Sequence, residues 1–182
     1  MNKKIIKIIM VFVFVFSGSA FGGSKEKKYD LPNHGVLLLN VPDAWVDQVR
    51  YPPGGLPPTI HFSKSSGERF EILLTPMWKM PGAPSGFGTK ESVRQLVSGS
   101  AHNASSQAVE KNIVVKQIEG PNVGYYFTAT DKAPPPGEYK YMSQGAFVVS
   151  ELMGTFTILT SNPNSEVIGQ AISMLGKSKH LK

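Results

Sequence analysis

The stretch VRYPPGGLPPT, from Val49 to Thr59, carries four prolines and two glycines. Proline lacks the N–H that a sheet ladder needs, and glycine has no side chain to pack, so no central strand runs through it. Two similar stretches follow: KMPGAPSGFG, from Lys79 to Gly88, and APPPGE, from Ala133 to Glu138. Together they cut the chain into short segments. The fold must be assembled from short elements joined by stiff loops.

The segments between these breaks have readable periods. GVLLLNV (Gly35 to Val41) is a continuous apolar run stopped by Pro42, as expected of a buried strand, with Trp45 beside the turn. TIHFSK (Thr59 to Lys64) alternates, placing Ile60 and Phe62 on one side and His61 and Ser63 on the other. With SSGE as a turn, RFEILLTPMW (Arg69 to Trp78) completes a hairpin. The period then changes. Thr89 suits a helix cap, Glu91 a first turn, and Val93, Leu96, Val97, Ala101, Ala104 and Ala108 recur at helical spacing, with Gly99 a weak point inside.

Strand patterns resume in NIVVKQIE (Asn112 to Glu119), VGYYFTATD (Val123 to Asp131), EYKYMSQGAFVVS (Glu138 to Ser150) and TFTILTS (Thr155 to Ser161). A last helix is signalled by Asn162 as cap, Pro163 at the first position and Glu166 in the first turn. Its apolar stripe is Ile168, Ile172 and Leu175, and Gly176 reads as its end. Strands, helix, strands, helix, joined by short turns, predict an α+β fold: an antiparallel β-sheet flanked by two main helices.

Residues 1–22 have the layout of a secretory signal peptide. Lys3, Lys4 and Lys7 precede an apolar run from Ile8 to Phe16, then Ser17, Gly18, Ser19 and Ala20. Cleavage is expected near Ala20 or Gly22, giving a periplasmic or secreted protein; an uncleaved anchor is the alternative reading. Residues 23–28 read as a polar linker, 29–176 as a single α+β domain and 177–182 as a basic tail. The chain has no cysteine, so this domain is held by its core and not by disulfides.

The net charge of +6 comes from the ends of the chain. Between Tyr29 and Gly176 there are 10 basic and 12 acidic residues. That balance argues against a nucleic-acid partner, which requires a basic face on the folded body. Membrane contact is open only to the basic tails.

Three segments carry a family resemblance: GVLLLNVPDAW, in which a strand runs into Pro-x-x-Trp; GYYFTATD; and YMSQGAFVVSELMGTFTILTSNPNSEVIGQAISML, in which two strands lead into the final helix. In this order of elements the chain resembles the PsbP/Mog1-like α/β sandwich family, including small exported bacterial members. The resemblance implies an antiparallel sheet flanked by helices. It also implies a binding or assembly role, as in photosystem accessory proteins and a partner of a nuclear-transport GTPase. The family shares no catalytic motif, so it passes no functional residue to this chain.

Catalytic signals are sparse. There is no cysteine nucleophile and no Gly-x-Ser-x-Gly elbow. Ser98 and His102 stand one helical turn apart, a spacing common on exposed helix faces. His34, His61, His102 and His180 are unpaired at metal-ligand spacing, so no metal and no cofactor is expected. A through-space metal site from His34, Asp43 and Asp47 is the alternative to that reading, and a through-space set such as His34 with Asp43 keeps a hydrolase-type enzyme open.

Aromatic and methionine side chains gather near the loops: Trp45, Tyr51, Met77, Trp78, Met80, Phe87, Tyr139, Tyr141 and Met142. Such residues are enriched at interfaces. The candidate ligand- or partner-binding residues are Tyr139, Tyr141, Trp78, Tyr51 and Phe87. Tyr139 and Tyr141 share one face if they lie on a strand, beside the stiff Pro134–Pro136 loop. The competing reading makes Trp78 a core residue and the tyrosines part of a strand connector. The expected function is a non-catalytic periplasmic accessory or assembly protein that recognises an envelope protein or a small apolar ligand. A lipid carrier with a pocket enclosed between sheet and helix is a further alternative.

Overall fold

The computed structural model describes residues 23–182. The expected signal peptide, residues 1–22, lies outside the described residues. Among the described residues ten strands and two helices follow one another: β1 (Ser24–Asp30), β2 (Val36–Pro42), β3 (Val46–Arg50), β4 (Thr59–Ser63), β5 (Phe70–Met77), α1 (Lys90–Ala104), β6 (Lys116–Gln117), β7 (Val123–Thr130), β8 (Tyr141–Val149), β9 (Leu152–Thr160), α2 (Glu166–Gly176) and β10 (Lys179–Leu181). A seven-stranded sheet has the order β3-β4-β5-β9-β8-β7-β6, and a three-stranded sheet the order β1-β2-β10. The strand pairs are antiparallel. The α+β class expected from the sequence is therefore present, with two helices, but the strands divide into two sheets.

Alternation gives the large sheet one apolar face and a second face that is apolar where α1 covers it. Ile60, Phe62, Ile72, Leu74, Phe147, Val149, Phe156 and Ile158 point to one side. There they meet α2 and the small sheet, through Val167, Ala171 and Leu175 of α2 and Leu37, Leu39 and Val41 of β2. On the other side Tyr125, Phe127, Ala129, Ala146 and Met153 pack against Val93, Val97 and Ala101 of α1. Each fully buried large side chain contributes about 2 kcal/mol, and these two clusters replace the missing disulfides.

Packing across the centre depends on Gly154. A Cβ at this position would clash with the edge of the Phe147 ring, which is fully buried. Phe147 pairs directly opposite Gly154 and lies across its backbone, with its ring centroid 6.4 Å from that of Phe156.

The helix signals are largely met. Thr89 caps α1, its hydroxyl accepting from the Ser92 N–H at 3.2 Å. The helix stops at Ala104, before Ala108, which instead bridges to Asp131. For α2 the cap is Ser165, not Asn162. The Asn162 side chain accepts from the Asn164 N–H at 3.0 Å, forming an Asx turn that takes up the cap's hydrogen-bonding capacity three residues early. Asn122 closes the other end of α2, its amide donating to the carbonyls of Leu175 and Ser178.

Sequence expectations are corrected at three segments. Residues 23–28 are not a linker: Ser24–Asp30 pairs along its whole length with β2. Residues 177–182 are not a free tail: Lys179–Leu181 pairs with the other edge of β2. Ladder bonds use backbone groups that every non-proline residue carries, and an edge strand tolerates polar side chains, so neither strand shows an apolar pattern. β3, which follows Trp45, went unread for the same reason. The strand expected from Asn112 to Glu119 is reduced to Lys116–Gln117, while Ile113 and Val115 pack against the α1-side core outside any ladder.

Candidate functional site

The turn between β1 and β2, the end of β5, the turn between β8 and β9 and the strand β10 meet at one end of the molecule. They enclose a groove of about 600 Å³ lined by Asn33, His34, Gly35, Trp78, Lys79, Phe87, Glu151, Leu152, His180 and Lys182. Trp78 and Leu152 are buried at its base, and Phe87 and His34 are half-buried beside them. Lys79, Glu151 and Lys182 are exposed at its rim.

Local backbone chemistry shapes the mouth. Asn33 and Gly35 both take the left-handed conformation, with φ of 62° and 79°, in the tight turn closed by the Leu31 N–H to Gly35 carbonyl bond of 2.8 Å. That turn lays the His34 imidazole flat on the Trp78 indole, with centroids 4.0 Å apart and planes 18° apart. The His180 Nε2 lies 2.7 Å from the His34 carbonyl oxygen. A carbonyl only accepts, so His180 carries its proton on Nε2. Its Nδ1 is buried with no partner among the described residues. Lys182 donates to Glu151 at 2.7 Å, and by that bond and its charge holds the carboxyl below the ordinary glutamate range.

Two of the five sequence candidates, Trp78 and Phe87, share this groove. The other three lie elsewhere. Tyr139 sits just before β8, not within a strand. Its hydroxyl accepts from Arg69 Nε at 3.0 Å and donates to Glu71 at 3.2 Å, and the Arg69 guanidinium lies 4.4 Å from its ring centroid. Burial raises the Tyr139 pKa. Arg69 also donates to the Gly137 carbonyl at 2.5 Å, so the proline loop is pinned to the start of β5. Tyr141 opens β8 between Thr130 and Thr160. Thr160 pairs in turn with Phe70 of β5, so Tyr141 lies about 25 Å along the strands from Trp78. Tyr51 is 52% exposed and reaches the Asp30 carbonyl at 3.4 Å.

His34 and Asp43 lie at opposite ends of β2 and form no common site. Asp47 is engaged instead by Lys27 and by the Tyr29 hydroxyl at 3.1 Å, which ties β1 to β3; burial, then the Asp47 charge, pushes the Tyr29 pKa up. Among the described residues no group of three or more His, Asp or Glu side chains is placed to hold a metal ion. The basic ends do not form one face either. Alternation in β1 turns Lys25 and Lys27 to one side and Lys28 to the other, where the register sets it beside Leu38 and Lys179.

His34, Glu151, His180 and Lys182 were missed as groove residues. Of their signals, only the turn Asn33-His34-Gly35 was local; the others come from positions up to 148 residues apart in the chain. In comparisons with known proteins, no protein-family model, no curated protein and no solved structure matches the chain.

Proposed function

We propose that this chain is a non-catalytic accessory or binding protein of the PsbP/Mog1-like kind, exported to the periplasm, that receives an apolar side chain of an envelope protein in the Trp78–Phe87 groove. The observation that carries the reading is the groove's anatomy: Trp78, Phe87 and Leu152 form an apolar base under a charged rim of Lys79, Glu151 and Lys182. An apolar centre within a polar rim is the usual arrangement of a protein-binding patch, and the volume also suits a small apolar ligand. The family assignment rests on the three sequence segments, and the location on residues 1–22.

A hydrolase-type reading has one observation in its favour, the convergence of His34, His180 and Glu151. Yet the groove is lined by no serine, threonine or cysteine, so it offers no hydroxyl or thiol nucleophile for the two histidines to activate. The lipid-carrier reading looks to the space between α1 and the sheet. That space is open and carries four threonines and a glutamine, whose burial under an acyl chain would cost hydrogen bonds to water.

The test is in-cell photocrosslinking from a benzophenone amino acid placed at Lys79, with the same probe at exposed Leu56 as the control. A discrete adduct from position 79 that is absent from position 56 and is lost with Phe87→Asp supports the reading. Equal adducts from both positions, or one indifferent to Phe87→Asp, would sink it. Mass spectrometry of the intact purified protein reads out a small bound ligand in its place.

A further inference from the structure

The large sheet is covered on one face but only half covered on the other. α1 lies over β7 and β8 and reaches Met153 of β9, while β4 and the parts of β5 and β9 around Leu73, Thr75, Thr155 and Thr157 remain open beside it. The register places Thr75 opposite Thr155 and Leu73 opposite Thr157, and Gln144 opposite Thr157 on the next strand. Thr59 joins the first row through a 3.2 Å bond between its hydroxyl and that of Thr75. The Gln144 amide lies 3.4 Å from the Thr157 hydroxyl. Leu96, Val97 and Ser100 of α1 wall one side, and the resulting groove measures about 330 Å³. It shares no lining residue with the Trp78 groove.

Its chemistry is selective. Every polar side chain in the lining is neutral: hydroxyls of Thr59, Thr75, Ser100, Thr155 and Thr157, and the Gln144 amide. A charged ligand would lose water there and find no counter-charge among the lining side chains. A wholly apolar ligand would strip the hydroxyls of water and return no hydrogen bonds. The ladder occupies the sheet's backbone groups, so an added peptide strand has no edge to pair with on this face. Each hydroxyl offers one donor and two acceptor sites, so the bonds between Thr59 and Thr75, and between Gln144 and Thr157, leave further capacity unused. Threonine side chains are stiff at χ1, which holds these hydroxyls in fixed directions. Leu73 and Leu96, 40% and 43% exposed, supply aliphatic surface next to them.

From this pattern we infer that the groove beside α1 binds a neutral, hydroxyl-rich ring: a sugar unit or a short glycan. Ring hydroxyls meet the threonine rows and Gln144, while the C–H face of the ring lies on Leu73 and Leu96. The site is independent of the groove around Trp78.

The experiment is an amide chemical-shift titration of the isotope-labelled protein with cellobiose, maltotriose and N,N′-diacetylchitobiose, with 1-octanol as the apolar control. At least one sugar is expected to give saturable shifts at Thr75, Gln144, Thr155 and Thr157. Thr75→Val with Thr157→Val, which keeps shape and removes two hydroxyls, should weaken that binding about tenfold or more, at roughly 1 kcal/mol per lost bond. If the double variant fails to fold, Gln144→Leu alone carries the comparison. The inference is overturned if no sugar gives a saturable response at these amides, if octanol alone does, or if the variants bind as the parent does.

Discussion

His34 lies stacked on Trp78 at a centroid distance of 4.0 Å, and so covers the one indole that the groove presents. An apolar group that enters the groove meets Phe87 and Leu152 beside an indole covered on one face by the imidazole. It also makes Trp78 a reporter: Trp78 and Trp45 are both buried, 7% and 5% exposed, but of the two only Trp78 lines the groove.

Replacing His34 with Ala should uncover Trp78. The expected result is a red-shifted emission and stronger quenching by acrylamide, with little change in melting temperature. Unchanged quenching would show that the imidazole does not shield the indole. Trp78→Ala should instead cost about 3 kcal/mol, since it empties a buried aromatic site.

Gly154→Ala should destabilise the fold, because the new methyl group clashes with the edge of the Phe147 ring. Overpacking of this kind costs about 1–3 kcal/mol. Phe147→Leu in the same chain should recover part of that loss, a coupling that a double-mutant cycle in urea would measure. Additive losses would mean that the two positions are not in conflict.

Gly99→Ala should act in the opposite sense. Gly99 lies inside α1, and an added Cβ would meet no atom within 4 Å. The gain is about 0.5–1 kcal/mol, mainly from restricting the unfolded chain. A urea midpoint that does not rise would show that the helix backbone is strained at this position.

Glu110 predicts a dependence on pH. Burial alone would raise its pKa, but the Thr130 hydroxyl at 2.6 Å and the Thr130 N–H at 2.9 Å both donate to its carboxylate and lower it below the ordinary 4.5. A carboxyl whose folded pKa lies below its unfolded value adds stability above the unfolded value. That stability fades as pH falls through the folded value. The melting temperatures of the parent and of Glu110→Gln should therefore differ at pH 7 and converge below about pH 4. A gap of the same size at both ends would rule out this linkage.

Much of the fold is local information. The alternation in Thr59–Ser63 places Ile60 and Phe62 inward, the cap at Thr89 starts α1, and the proline-rich stretches mark loops, because each depends on the chemistry of a few adjacent residues. What only the tertiary structure decided is pairing and convergence. β1 and β10 are polar segments that pair with β2 through backbone groups, so their strand character appears only once β2 is in place. The candidate groove is of the same kind. Trp78 and Phe87 stood out as loop aromatics, but their neighbours arrive from the β1–β2 turn, the β8–β9 turn and the last strand. His34 and His180 meet across 146 residues. Periodicity reports which face of an element is apolar; which distant elements close on that face is settled by packing, and no run of adjacent residues encodes it.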